Sequence, residues 1–246
     1  MEEKNTQGGF WETTKTVIYA VLIALFIRTV FAEPFSIPSG SMIPTLLVGD
    51  YLFVSKMSYG YSKHSLPLSM PLIKGRIFYT QPERGDVIVF KMPSDNKTDY
   101  IKRLIGLPGD KIQMKDGRLY INGAIVDRKS EGEYVLRDAS GKAMRFEKYT
   151  ETLPNGKQHP ILEASDEGMY DNTQEFTVPE DHFFMMGDNR DSSMDSRSVK
   201  VGFVPKNNLV GKAKFLFFSH DDSAAWWQVW KWPMAVRWSR LFNGIK

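Results

Sequence analysis

The longest apolar stretch of the chain lies near its start, where Thr16 to Ala32 is interrupted only by Thr16, Arg28 and Thr29. At about 1.5 Å of rise per residue, a helix over it spans roughly 26 Å, slightly short of a hydrocarbon core. Arg28 falls one turn from the end, where its long side chain reaches the headgroups instead of the costly bilayer centre. Glu33-Pro34-Phe35-Ser36-Ile37-Pro38 follows, and its two prolines stop the helix and force an extended exit. A cleavable leader ending at Val30-Phe31-Ala32, or a buried core helix, fits the apolar run alone. The proline-bounded exit favours an anchor. Lys4 and Lys15 precede the segment and no Lys or Arg follows Arg28 until Lys56, which points to a cytoplasmic N-terminus with the remainder beyond the membrane.

Past the anchor the period shortens. Tyr51–Ser55, Asp86–Phe90, Lys111–Met114 and Arg118–Ile121 read as short strands, the last pair joined by the Asp116-Gly117 turn. Asn122-Gly123 predicts a further hairpin return, so a mainly antiparallel, mostly β fold is expected in place of alternating βαβ units. Ser130 to Asn172 is more polar and is read as part of an inserted lobe, and Tyr59 to Gly75 as a surface excursion. The expected organisation is a tail over residues 1–15, an anchor over 16–32, a core built from 33–111 and 178–246, and an inserted β-rich lobe over 112–177. At the other end, Trp226, Trp227, Trp230, Trp232 and Trp238 alternate with Lys231, Arg237, Arg240 and Lys246. That mixture suits a membrane interface and a closing core equally, and Pro233 interrupts any single long helix.

A length of 246 residues accommodates one sizeable domain, or a core with a large insertion. The net charge of +3, with no basic run interleaved with aromatics, argues against a nucleic-acid partner. With no cysteine, disulfides, thiolate zinc sites and a cysteine nucleophile are excluded. His64, His159, His182 and His220 are scattered without metal-ligand spacing and are read as surface or hydrogen-bonded side chains.

Three segments carry candidate chemistry. Ser39-Gly40-Ser41-Met42-Ile43-Pro44-Thr45-Leu46 sets hydroxyls and a permissive glycine just after the anchor, although Ser-Gly-Ser by itself is usually only a loop. In Tyr100-Ile101-Lys102-Arg103-Leu104-Ile105-Gly106, Lys102 falls inside an apolar strand. An outward lysine is the default there, but an inward one loses its charge readily and becomes a base. Gly187-Asp188-Asn189-Arg190-Asp191-Ser192-Ser193-Met194-Asp195-Ser196-Arg197 packs acids, arginines and hydroxyls into one turn-rich loop. The arginines oppose a cation, and the calcium-loop pattern is not met, so metal binding is set aside.

Together with Arg84-Gly85-Asp86-Val87-Ile88-Val89-Phe90, these segments resemble, in sequence and in order, the motifs of the bacterial type I signal peptidases. The resemblance runs from the anchor to the C-terminus. It implies a Ser/Lys serine endopeptidase with no cofactor, removing signal peptides of exported preproteins at the outer face of the cytoplasmic membrane. Ser41 would be the nucleophile and Lys102 the base, with Ser39 in the oxyanion hole. Ser193 would orient the amine, Gly187 would leave it room, and Asp195 with Arg197 would brace the loop. Phe35, Ile37, Pro38, Leu46, Leu52, Tyr100 and Ile101 would line shallow apolar pockets for small substrate side chains. Many gammaproteobacterial relatives carry two anchors, whereas one is read here. A maturation peptidase with one dedicated substrate and an inactive membrane-anchored signal-peptide-binding module are the competing readings.

Overall fold

The computed structural model describes residues 7–137, 143–221, 223 and 227–245. Helix α1 covers Gln7–Val30. It starts ahead of the apolar stretch because its polar first turns are themselves helical, with the Thr13 and Thr16 hydroxyls donating back to the Gly9 and Glu12 carbonyls. Within it, Trp11–Val30 is long and apolar enough to cross a membrane, and none of its apolar window is buried in the rest of the protein. An apolar helix exposed along most of its length suits lipid, not a folded interior.

The chain then turns directly into strands β1 (Ala32–Ser36), β2 (Asp50–Ser55), β3 (Tyr61–Ser62), β4 (Arg76–Ile77), β5 (Val87–Lys91) and β6 (Asp99–Gly106). Next come β7 (Lys111–Lys115), β8 (Arg118–Ile121), β9 (Ala124–Ile125), β10 (Asp127–Arg137), β11 (Ala143–Thr152), β12 (Gln158–Glu163) and β13 (Phe176–Thr177). Strands β14 (His182–Met186), β15 (Val204–Pro205) and β16 (Leu209–Ser219) return to the first sheet. That sheet has seven antiparallel strands in the order β1-β2-β16-β5-β6-β14-β15. Four strands in the order β13-β7-β8-β9 and three in the order β10-β11-β12 form two further sheets. The architecture is mostly β, antiparallel, and preceded by one apolar helix.

Strand β5 shows why its sequence is apolar without alternation. Val87 and Val89 face a cluster with Ile37, Met42, Leu46, Leu52 and Val54, while Ile88 and Phe90 face another with Leu104, Phe183 and Met185. A strand covered on both faces needs apolar residues at every position. Strand β16 bends through register shifts, and at Gly211 a Cβ would lie 2.4 Å from the Ser55 carbonyl oxygen, so only glycine permits that approach.

Two regions differ from the sequence expectation in detail. The polar stretch after Ser130 contains the long paired strands β10 and β11, which period two did not reveal because their covered face mixes Arg128, Gly132 and Glu151 with Tyr134, Leu136 and Phe146. The Tyr59 to Gly75 excursion holds a 3-10 turn, Lys63–Ser65, that buries His64. At the C-terminal end, Trp227, Trp230, Trp232 and Trp238 are all exposed and do not close the core, while Trp226 and Lys246 lie outside the described residues. Arg240 ties this segment to Asp50 at 2.5 Å, and Arg237 donates to the Val48 carbonyl.

Candidate active site

Ser41 sits in a one-turn 3-10 helix, Gly40–Met42, entered from Ser39 in extended conformation. Buried Met42 and Leu46 anchor the turn to the core, and the loop opposite clamps its backbone. The Asn189 amide N–H donates to the Ser41 carbonyl at 3.1 Å, and its side-chain amide donates to the Gly40 carbonyl at 3.3 Å.

Lys102 comes from β6, paired opposite Ile88 of β5, with only 3% of its surface exposed. Its Nζ lies 2.5 Å from Ser41 Oγ and 5.4 Å from the centre of the Tyr100 ring. Burial pushes the Lys102 ammonium down to about 8, against the opposing pull of the Asp195 and Asp188 carboxylates, with Arg197 adding a further push downward. Roughly a tenth of the amine is then neutral at pH 7, against well under a thousandth for an ordinary lysine. An uncharged amine in contact with a hydroxyl can accept its proton.

The third segment holds these parts in register. Asp195 accepts from the Gly187 N–H at 3.0 Å and from Arg197 Nε at 3.0 Å, and Arg197 reaches on to the Arg190 carbonyl at 2.6 Å. Burial by itself would raise the Asp195 carboxyl, but the guanidinium holds it below its ordinary value. At Gly187 a Cβ would stand 2.2 Å from Ser193 Oγ and 2.5 Å from the Ser41 carbonyl oxygen, so this position has room for hydrogen only. Ser193 is buried against Gly187, and among the described residues no hydrogen bond joins its hydroxyl to the Lys102 amine.

Behind the loop lies a buried ionic chain that sequence reasoning missed. Arg103 donates two bonds to Asp188, at 2.8 and 2.7 Å, and Thr45 Oγ1 donates to the same carboxylate at 2.5 Å. His159 stands between Asp188 and Glu151, and Arg190 closes on Glu151 at 2.5 Å. Burial alone would raise both carboxyls, yet Arg103 and His159 hold Asp188 low, and Arg190 and His159 hold Glu151 at about 2. Arg103 and Asp188 stood inside quoted motifs, but nothing in the pattern paired them across the fold.

A cleft of about 430 Å³ opens over the Ser41–Lys102 pair. Phe35, Ile37, Pro38, Ser39, Tyr100 and Ile101 line it, joined by Val89, Thr98, Asp99, Ser192 and Met194, which the sequence reading had not assigned to the pocket. Val89 was accessible by register, since it pairs with Ile101. Leu46 and Leu52 are not on its wall; both are fully buried in the core cluster against Ile37. Among the described residues, no group of three or more His, Asp or Glu side chains is placed to hold a metal ion.

A family model described as signal peptidase, peptidase S26, matches residues 10–218. The chain belongs to this family. It is therefore a serine peptidase, and the match runs from the apolar helix through nearly all of the seven-stranded sheet. Signal peptidase I of Rickettsia canadensis (strain McKiel) is 43% identical over 260 residues, covering 98% of this chain and 96% of the relative. Signal peptidase I of Rickettsia massiliae (strain Mtu5) is 42% identical over 268 residues, covering 100% and 98%. A crystal structure of a signal peptidase I from Enterococcus faecalis V583 is 28% identical, with a TM-score of 0.31, covering 54% of this chain and 97% of its own.

Proposed function

We propose that the chain is a membrane-anchored endopeptidase that removes N-terminal signal peptides from exported proteins at the outer face of the cytoplasmic membrane. Ser41 Oγ attacks the scissile carbonyl while the neutral Lys102 amine takes its proton. Lys102 then gives that proton to the leaving amine, and water, deprotonated by the same nitrogen, releases the acyl-enzyme. The Ser41 backbone N–H and the Ser39 hydroxyl stabilise the oxyanion as it forms. Ser193, once substrate closes the cleft, orients the amine, and Asp195 with Arg197 keeps the loop rigid. The apolar wall made by Phe35, Ile37, Pro38, Tyr100 and Ile101 selects small side chains beside the cut.

The observation that carries this reading is the buried Lys102 nitrogen 2.5 Å from Ser41 Oγ at the floor of an apolar cleft. The deciding experiment is turnover of a fluorogenic signal-peptide substrate by the purified full-length protein. Cleavage by wild type and none by Ser41→Ala or Lys102→Ala supports the mechanism. Binding without turnover by wild type overturns it in favour of an inactive binding module.

A further inference from the structure

A second cavity, of about 260 Å³, lies where α1 meets the sheet. Leu25, Arg28 and Thr29 of the last helical turns form one wall, and Glu33, Lys56 and Lys91 face them. It adjoins the cleft described above, sharing Phe35 and Asp99, but holds neither Ser41 nor Lys102.

Its charges do not cancel. Glu33 takes bonds from both Arg28 and Lys56, the latter at 2.9 Å, while Lys91 pairs with Asp99 at 2.8 Å. Three cations against two carboxylates leave one positive charge, the complement of a single phosphodiester. His64 adds a polar group to the same wall: it is 5% exposed, its Nδ1 lies 3.1 Å from Ser69 Oγ, and its Nε2 has no hydrogen-bond partner among the described residues. Burial first, then Lys63, Lys91 and Arg76, push this imidazole down to about 4, so it stands neutral at neutral pH.

We infer that this cavity binds the headgroup of an anionic glycerophospholipid. The inference rests on α1 being a membrane anchor but not on the chemistry of Ser41. Arg28 stands in the last turn of the helix, at headgroup depth, so the cavity opens where phosphates are concentrated. Towards the bilayer its wall is Leu25, and the helix beyond, including Leu22 and Ile18, is bare of protein and free to take the acyl chains. A soluble anion would gain nothing from that apolar continuation, and a peptide carries no phosphodiester.

The test uses full-length protein in nanodiscs of phosphatidylcholine containing phosphatidylglycerol, released into mild detergent and weighed by native mass spectrometry. Wild type is expected to retain one phosphatidylglycerol in preference to phosphatidylcholine. Replacing Arg28→Gln and Lys91→Gln together should weaken that retention roughly thirtyfold, while Lys91→Arg keeps it. Lys56 still holds Glu33 in the double variant, and a thermal melt establishes that it is folded. Equal retention of the two lipids, or unchanged retention in the folded double variant, overturns the site. So does displacement of the lipid by glycerol phosphate or by a signal-peptide substrate, either of which would be the occupant instead. Failure of wild type to enter the discs overturns the anchor and this site together, whereas loss of lipid selectivity inside them overturns the site alone.

Discussion

Lys102 Nζ and Ser41 Oγ meet at 2.5 Å although 61 residues separate them in the chain. One side chain comes from the middle of a buried strand and the other from a single helical turn beside it, so their contact depends on the packing of β6 against that turn. Substituting either should abolish turnover. Lys102→Arg keeps length and charge but cannot surrender its proton, and kcat is expected to fall at least roughly 10³-fold. Steady-state kinetics on a short signal-peptide substrate check this; appreciable activity in that variant removes Lys102 as the base.

The pH dependence follows from the same burial. Only the uncharged amine accepts the Ser41 proton, so kcat/KM should rise with pH through a single ionisation near 8 and level off above it. A profile already flat from pH 6 to 9 would mean that another group governs the reaction.

Gly187→Ala tests the clearance beside the pair. The added methyl would enter the space of Ser193 Oγ and the Ser41 carbonyl, both closer than 3 Å. The expected cost is about 1–3 kcal/mol of stability and roughly a hundredfold in kcat through displacement of the nucleophile. Thermal melts and kinetics on the same preparation separate the two effects. A variant with unchanged kcat would show that the turn yields without moving Ser41.

The Arg103–Asp188 pair makes a prediction about acid. Both Asp188 and Glu151 have folded values below their ordinary ones of 3.8 and 4.5, so the unfolded chain binds more protons as the pH falls. Their stabilisation is full above about pH 5 and is lost progressively as pH falls towards 2. Urea midpoints measured at pH 7, 4 and 3 should decline accordingly. Arg103→Met, which leaves the buried Asp188 without its main partner, should lose about 3–5 kcal/mol at pH 7.

The cysteine-free sequence allows topology to be read with one label. Val199 is fully exposed, and Val199→Cys is expected to react with a membrane-impermeant maleimide added to spheroplasts. Labelling only after lysis would place the cleft on the opposite face.

How much of this was legible beforehand varied with burial. Strands β2, β5, β7 and β8 were visible because they are short apolar runs between turn residues, and the β8–β9 hairpin because Asn122-Gly123 announces it. The partnered Ser41 and Lys102 were reached through motif resemblance, since neither Ser-Gly-Ser nor a lone lysine distinguishes itself from loop and surface. Hairpin β10–β11 was illegible because its covered face carries Arg128, Gly132 and Glu151 among the apolar residues, which blurs the alternation that marks a strand. Leu46 and Leu52 illustrate the opposite limit: an apolar residue near a cleft reads the same whether it forms the wall or supports it from behind.

The proximity of Ser41 to Val30, where α1 ends, has a last consequence. The ten residues between them, half of which β1 stitches into the sheet, make a short stiff arm between helix and site. On the proposed function, that arm sets the height of the cut: chains whose small residues lie too deep or too far out from the bilayer would pass uncut.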